Sequence, residues 1–182
     1  MDTGLITKKR LNTPPAYVML DTGGDHMSIR VKTLWKVPIY CICAGFISFW
    51  LVVHLVARIG VITLPDGSIS SNPMVTTPLE VLIFAVALGI GYFVFRTMTK
   101  KEIFWSATMI VTILLILQIY QVFMFKMDIA AANAVGMWII YPTEWCRIIP
   151  LVCHYIIPGP WIGAFLCCIA PYIFILFGKK EK

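Results

Sequence analysis

Five polar side chains interrupt sequence that is otherwise almost wholly apolar: His54, Arg58, Glu80, Gln118 and Gln121. Ionisable groups are costly in hydrocarbon, so those that persist there face a bundle interior or a water-filled cavity. If the apolar stretches that carry them cross a bilayer alternately, all five fall toward one face at similar depth. They then form a candidate shallow polar pocket on the outer side. In it Arg58 can hold an anionic group and His54 can exchange protons near neutral pH. Trp50, His54 and Arg58 recur at i, i+4 and i+8, which puts them on one helical face. A plainer arrangement uses the same residues structurally: Arg58 reaches out to the headgroups, Glu80 caps a helix, and the two glutamines bridge neighbouring helices.

The cysteines are the second chemical resource. Cys41 and Cys43 stand about 200° apart on a helix, so they are no metal pair. Cys167 and Cys168 read as small packing residues inside an apolar run. Cys146 and Cys153 share the outer region and form a disulfide candidate if that side is oxidising. A regular helix would hold their Cα atoms about 10 Å apart, so a bond requires the break at Pro150 to bring them together.

Two local signatures resemble known catalytic families and stop short of them. Val18-Met19-Leu20-Asp21-Thr22-Gly23 resembles the Asp-Thr-Gly segment of aspartic proteases, which need a surrounding β-domain and a second Asp to share one proton. Four spans with outer cysteines are similar in outline to membrane thiol oxidases that pass electrons to quinone. Those carry a C-x-x-C pair, and this chain has none. No phosphate-cradling glycine loop, H-E-x-x-H or nucleophile elbow is present. His26, His54 and His154 are far apart in expected depth or side. Cys153-His154 is the one outer metal suggestion, and interface packing accounts for it as well. The sequence therefore implies no cofactor and no metal.

The elements that must position these groups are four long apolar runs, Ile39–Ala57, Leu79–Phe95, Ile103–Phe125 and Trp161–Phe177. A helix of about 20 apolar residues crosses a bilayer. The chain has 182 residues, of which 59% are apolar and only 13% charged, which leaves no room for a separate soluble catalytic domain. The expected fold is all-α: a polytopic membrane protein with spans at about 38–60, 78–96, 103–126 and 160–178. A basic tail, 1–36, precedes the bundle (37–178), and a short basic end, 179–182, follows it. Within the tail, Tyr17–Leu20 and Met27–Val31 flank turn chemistry and suggest a small hairpin.

The net charge of +6 is distributed by side. Lys8, Lys9, Arg10, Arg30, Lys32, Lys36, Arg96, Lys100, Lys101, Lys179, Lys180 and Lys182 fall on one face of an alternating topology, and Arg58, Lys126 and Arg147 on the other. The positive-inside rule then places both termini in the cytoplasm, in the plasma membrane. This layout explains the basic residues by orientation and anionic lipid, not by nucleic acid. The first apolar run begins after about 37 residues, so no cleavable leader is expected and span one is a retained anchor.

Span two opens with Thr77-Pro78-Leu79-Glu80, a capping-box pattern with Pro at the first helical position. Ala85 with Gly89, and Ala87 with Gly91, form small-xxx-small pairs, as do Gly163 with Cys167 and Ala164 with Cys168 on span four. Two pairs on span two make it the helix expected to be most buried, with Gly89 less tolerant of Leu than Val94. Pro171 is expected to kink span four. Residues 128–158 are too apolar for a loop and too broken for a crossing. They are expected to lie as an outer interfacial helical cap, with two re-entrant elements as the alternative.

Three function classes fit. The first is a non-enzymatic subunit of a membrane complex, a transport system among the candidates, associating with other membrane chains or with itself as an oligomer. The second is a small solute-binding or transport protein using the outer pocket. The third is a membrane enzyme or thiol-redox protein.

Overall fold

The computed structural model describes residues 17–22, 25–65, 67–156 and 160–180, and side chains from residue 33 onward with a few further omissions. The chain divides into two compact units, Met1–Val31 and Lys32–Lys182. In the first unit, β1 (Tyr17–Thr22) pairs antiparallel with β2 (Asp25–Arg30), with Tyr17 opposite Arg30 and Thr22 opposite Asp25. This is the hairpin expected from the alternation of strand-forming and turn residues. Asp21 and Thr22 therefore end a strand in a two-stranded ribbon.

The described residues of the second unit are mostly helical. A short α1 (Val31–Leu34) leads into α2 (Lys36–Leu51), which runs through a π-helical turn (Val52–Val56) into α3 (Ala57–Ile59). A small hairpin follows, β3 (Val61–Thr63) with β4 (Ile69–Ser71), closed by a turn in which Gly67 adopts φ 81°. That left-handed conformation is open to glycine at no steric cost. Then come α4 (Pro73–Phe95) and α5 (Lys100–Met124). Next are α6 (Ile129–Thr143), a 3-10 turn (Glu144–Cys146) and α7 (Ile148–Ile156). The last element is α8 (Pro160–Ile169), continued by a 3-10 segment (Ala170–Phe177). The change from α to 3-10 geometry falls beside Pro171, which cannot donate to the α-helical ladder.

Among the described residues, three helices are long and apolar enough to cross a membrane: Lys36–Leu55, Pro73–Phe95 and Lys100–Met124. The fourth apolar stretch, Trp161–Phe177, is a shorter helix.

The start of α4 differs from expectation. Its cap is Asn72, whose side chain accepts from the Met74 N–H at 3.0 Å, with Pro73 as the first helical residue. Thr77 and Pro78 lie inside the helix, and Glu80 is two turns in, not at a cap. Asn72 outcompetes Thr77 because Pro73 already supplies the helical φ one position later. A complete capping box does occur at α5, between Thr99 and Glu102. The Glu102 N–H donates to Thr99 Oγ at 3.2 Å and the Thr99 N–H to Glu102 Oε2 at 2.9 Å.

One end of the unit gathers basic residues. The Val37 N–H donates to Ser106 Oγ (3.1 Å), whose hydroxyl donates to the Leu34 carbonyl (2.6 Å), so α2 and α5 begin side by side. The Lys100 N–H donates to the Lys179 carbonyl (3.1 Å) and the Lys179 N–H to that of Met98 (2.9 Å). The 3-10 segment therefore finishes beside the α4–α5 connection. Lys36, Arg96, Lys100, Lys101, Lys179 and Lys180 belong to these same ends.

The core beneath is aromatic and small-residue packing. Phe174 meets Phe95 (centroids 4.8 Å), Trp145 (5.1 Å) and Tyr40 (5.3 Å), and the Tyr40 hydroxyl donates to the Ala87 carbonyl. Gly91 faces the Phe174 ring, where a Cβ would come within 2.6 Å. Ala87, Gly163 and Cys167 are buried, whereas Ala85 and Gly89 are exposed and a Cβ on Gly89 would meet nothing. Span two is thus the least buried of the three long helices, with 22% of its apolar window covered against 33% and 39%. Its two small-residue pairs lie on different faces, and the fold uses only one of them.

Within residues 128–158, the described residues 129–156 form two helices and a turn that pack against the other helices. α6 packs along α2 and α5, and α7 packs against α8 and α4. Asp128 caps α6 by accepting from the N–H groups of Ala130 and Ala131, immediately after α5 ends. From there α6 descends until the Tyr141 carbonyl lies directly over Gly45, the tenth residue of α2, where any Cβ would overlap it. The turn that follows is buried, including Trp145 and Cys146. The aromatic residues of this stretch split by position. Trp138 is exposed, while Trp145 is a core residue whose Nε1–H donates to the Pro142 carbonyl at 2.9 Å.

Gly45→Ala is expected to lower stability by about 1–3 kcal/mol, because the obstructing atom is backbone and cannot rotate away. Gly89→Ala should be neutral or slightly stabilising. Thermal denaturation of the two variants in detergent checks this; equal melting temperatures would contradict the close α2–α6 approach.

Candidate functional site

The Asn72 cap sets the register of α4 and turns Glu80 inward, where it is 6% exposed. Glu80 stands seven residues past Pro73, about 10 Å along the axis. Gln118 stands six residues before the end of the antiparallel α5, about 9 Å in, and is 2% exposed. The turn after α6 brings Glu144, 8% exposed, and Arg147 to the same level. Arg147 joins them: its Nη1 lies 2.8 Å from Glu144 Oε1 and its Nε 3.4 Å from Glu80 Oε1.

The cluster is unequal in charge. Two carboxylates share one guanidinium, leaving one negative charge uncompensated among these three groups. Glu80 Oε2 is buried and has no hydrogen-bond partner among the described residues. Burial works against the charge on Arg147, but the Glu144 hydrogen bond and the charges of Glu144 and Glu80 outweigh it and hold its pKa above the usual value. Arg147 is therefore cationic at any physiological pH.

Beside the cluster lies a cavity of ≈ 220 Å³ lined by Gln118, Gln121, Gly136, Thr143, Glu144 and Arg147, with Pro150, Ala164 and Cys167 behind them. Gln118 Nε2 donates to Gln121 Oε1 at 3.3 Å, so the two glutamines pair within α5 and do not bridge helices through each other. Gly136 makes room for Gln121, whose Nε2 would lie 2.5 Å from a Cβ there. The Thr143 hydroxyl donates to the Ile139 carbonyl at 2.7 Å.

Of the five residues expected to line a pocket, Gln118 and Gln121 line this cavity, and Glu80 is joined to its edge only through Arg147. His54 and Arg58 stay outside, both exposed on the C-terminal continuation of α2. His54 sits in the π-helical turn with its ring 4.4 Å from that of Trp50. Their place is taken by Glu144 and Arg147. The signal for these two was an opposite-charge pair at i, i+3 in an apolar region. It is decisive only once the segment is known to enter the bundle.

Cys146 and Cys153 are free and not joined. Cys146 Sγ donates to the Thr143 carbonyl at 2.9 Å, and Cys167 Sγ to the Cys146 carbonyl at 3.5 Å. Chiefly through burial, the Cys146 thiol is pushed well above its usual pKa, which removes the reactive thiolate. The side chains of His154 and Tyr155 lie outside the described residues, as does that of His26. Among the described residues no three His, Cys, Asp or Glu side chains converge as metal ligands.

No protein family, curated protein or solved structure matches this chain.

Two outcomes are expected. In detergent-solubilised folded protein a maleimide spares Cys146 until denaturation. Cys146 labelling in the folded protein as fast as in the denatured one would place the α6–α7 turn at the surface. Arg147→Met should lower stability by about 1–3 kcal/mol, less than the 3–5 of a fully buried pair because half of the Arg147 side chain is exposed. Adding Glu80→Gln to that variant should restore part of the loss. A double variant no more stable than the single one would show that the two charges are not coupled.

Proposed function

We propose that this is a small multi-pass membrane protein that binds a polar solute in the cavity beside Glu80, Glu144 and Arg147, and that passage of that solute across the bilayer is its role. The observation that carries the reading is a cavity within apolar helices lined by Glu144, Arg147 and two glutamines, with the buried Glu80 paired to the same Arg147. Proteins keep intramembrane charge where it serves a site, because a packed apolar core costs less.

The reading includes four crossings. In α8 and its continuation, ten α-helical and eight 3-10 residues reach about 31 Å at about 1.5 and 2.0 Å each. That matches a hydrocarbon core of about 30 Å. α6 and α7, with 15 and 9 residues, reach only about 22 and 13 Å. They serve as a re-entrant helical pair whose backbone is buried by α2, α5, α4 and α8. The lysine- and arginine-rich end faces the cytoplasm, with both termini, and the cavity lies toward the opposite side.

A second reading, a subunit that packs on another membrane chain or a second copy, draws on a different observation. α4 presents Ala85 and Gly89 outward with open space over the glycine. That face is a candidate seat for a neighbouring helix.

The solute reading is tested by thermal shift on the purified chain with ammonium, methylamine, acetate, phosphate, glycine and urea at matched ionic strength. At least one charge class should raise the melting temperature, and Gln121→Leu, which replaces polar lining with apolar bulk, should remove the effect. No stabilisation by any of the six, or stabilisation unchanged in Gln121→Leu, would sink it.

A further inference from the structure

We infer that the Glu80–Arg147–Glu144 cluster takes up one unit of positive charge, a proton or a small monovalent cation, at the unpartnered oxygen of Glu80. The inference deepens the pocket reading and rests on it only for access of water to the cluster.

The argument begins with the count of charges. Arg147 meets Glu144 through Nη1 and Glu80 through Nε, one oxygen of each carboxylate. The second oxygen of Glu80 is buried without a partner. A buried carboxylate oxygen left bare loses its hydration and regains nothing. One added positive charge at that oxygen removes both the excess negative charge and the missing partner. An anionic solute would do neither, because two carboxylates already outnumber the one guanidinium. Divalent metal is disfavoured by the donor set, which offers two carboxylates already committed to Arg147.

The groups that face Glu80 are few. From the turn after α6 come Glu144 and the buried neutral thiol of Cys146, and from the start of α7 comes Arg147. Cys153, on α7, is half-buried. The π-helical turn that packs on α4 carries His54, exposed against Trp50. On α2, Tyr40 is occupied with the Ala87 carbonyl. Among these described groups only Arg147 brings a fixed positive charge. When a proton is the charge taken up, it leaves a hydronium ion in the cavity that Glu144 and Arg147 line, releasing water, and forms the O–H bond on Glu80, which Arg147 joins to that cavity. When it is a metal ion, the ion exchanges hydration water for the carboxylate oxygen. Neither step needs an oxidant or reductant.

The test is infrared difference spectroscopy on the full chain in nanodiscs, comparing acidic with alkaline pH in choline chloride, then choline with sodium or potassium chloride at fixed pH. In the proton arm, a protonated carboxylic carbonyl band appears at neutral pH, vanishes in Glu80→Gln and persists in Glu144→Gln. In the metal-ion arm, carboxylate bands shift when sodium or potassium replaces choline, and the shift is absent from Glu80→Gln. If Glu80→Gln fails to fold, Glu80→Asp should keep the same band or shift at a displaced frequency. The inference is overturned if neither signal appears, or if either survives unchanged in the Glu80 variants. A positive infrared result with no solute effect at Gln121 would remove the solute-binding role and leave the cation site. The reverse pattern would remove only the cation site.

Discussion

The guanidinium of Arg147 is held between two carboxylates that reach it from separate parts of the chain, Glu80 from α4 and Glu144 from the turn after α6. Glu80 and Glu144 are buried, and a buried carboxylate needs a partner within the fold, which the half-exposed Arg147 supplies. That requirement ties α4 to the α6–α7 turn and fixes how deep the turn enters. It also leaves an imbalance, since one cation cannot neutralise two anions. The site's chemical character follows from that imbalance more than from any single residue.

The insertion is possible because the surrounding helices make room at defined points. Gly45 lets the α6 backbone lie against α2, and Gly136 leaves space for Gln121. Trp145 then anchors the turn among Phe84 and Phe174, with its indole N–H satisfied by the Pro142 carbonyl. Packing and polar satisfaction are coupled here. The same turn that buries a large aromatic ring delivers Glu144 and Arg147 to Glu80.

Much of this arrangement was legible in the residues. The helical, apolar character of the chain, the hairpin near its start and the basic clustering at alternate ends follow from composition and periodicity. The pairing of Gln118 with Gln121 was open to reading from their i, i+3 spacing on one helix. The role of Glu80 was harder to see. Thr77-Pro78-Leu79-Glu80 is a good capping pattern, and only the competing cap at Asn72 turns Glu80 from a helix start into a buried charge. Likewise Ala85–Gly89 and Ala87–Gly91 are equivalent as patterns. They lie about 200° apart on the helix, so a single neighbour can cover only one of them.

What the sequence by itself determined is the apolar, helical character of the long segments and the ends on which positive charge collects, because both depend on properties summed over many residues. What only the tertiary structure decided is that residues 129–156 enter the bundle, that His54 and Arg58 stay outside the polar cluster, and that Arg147 closes it. Those outcomes hang on single close contacts between segments distant in the chain: Gly45 with Tyr141, Gly163 with Pro150, Glu80 with Arg147. Local patterning carries no information about which backbone can approach which. That is settled when the whole chain packs and each buried polar group takes the nearest partner the packing allows.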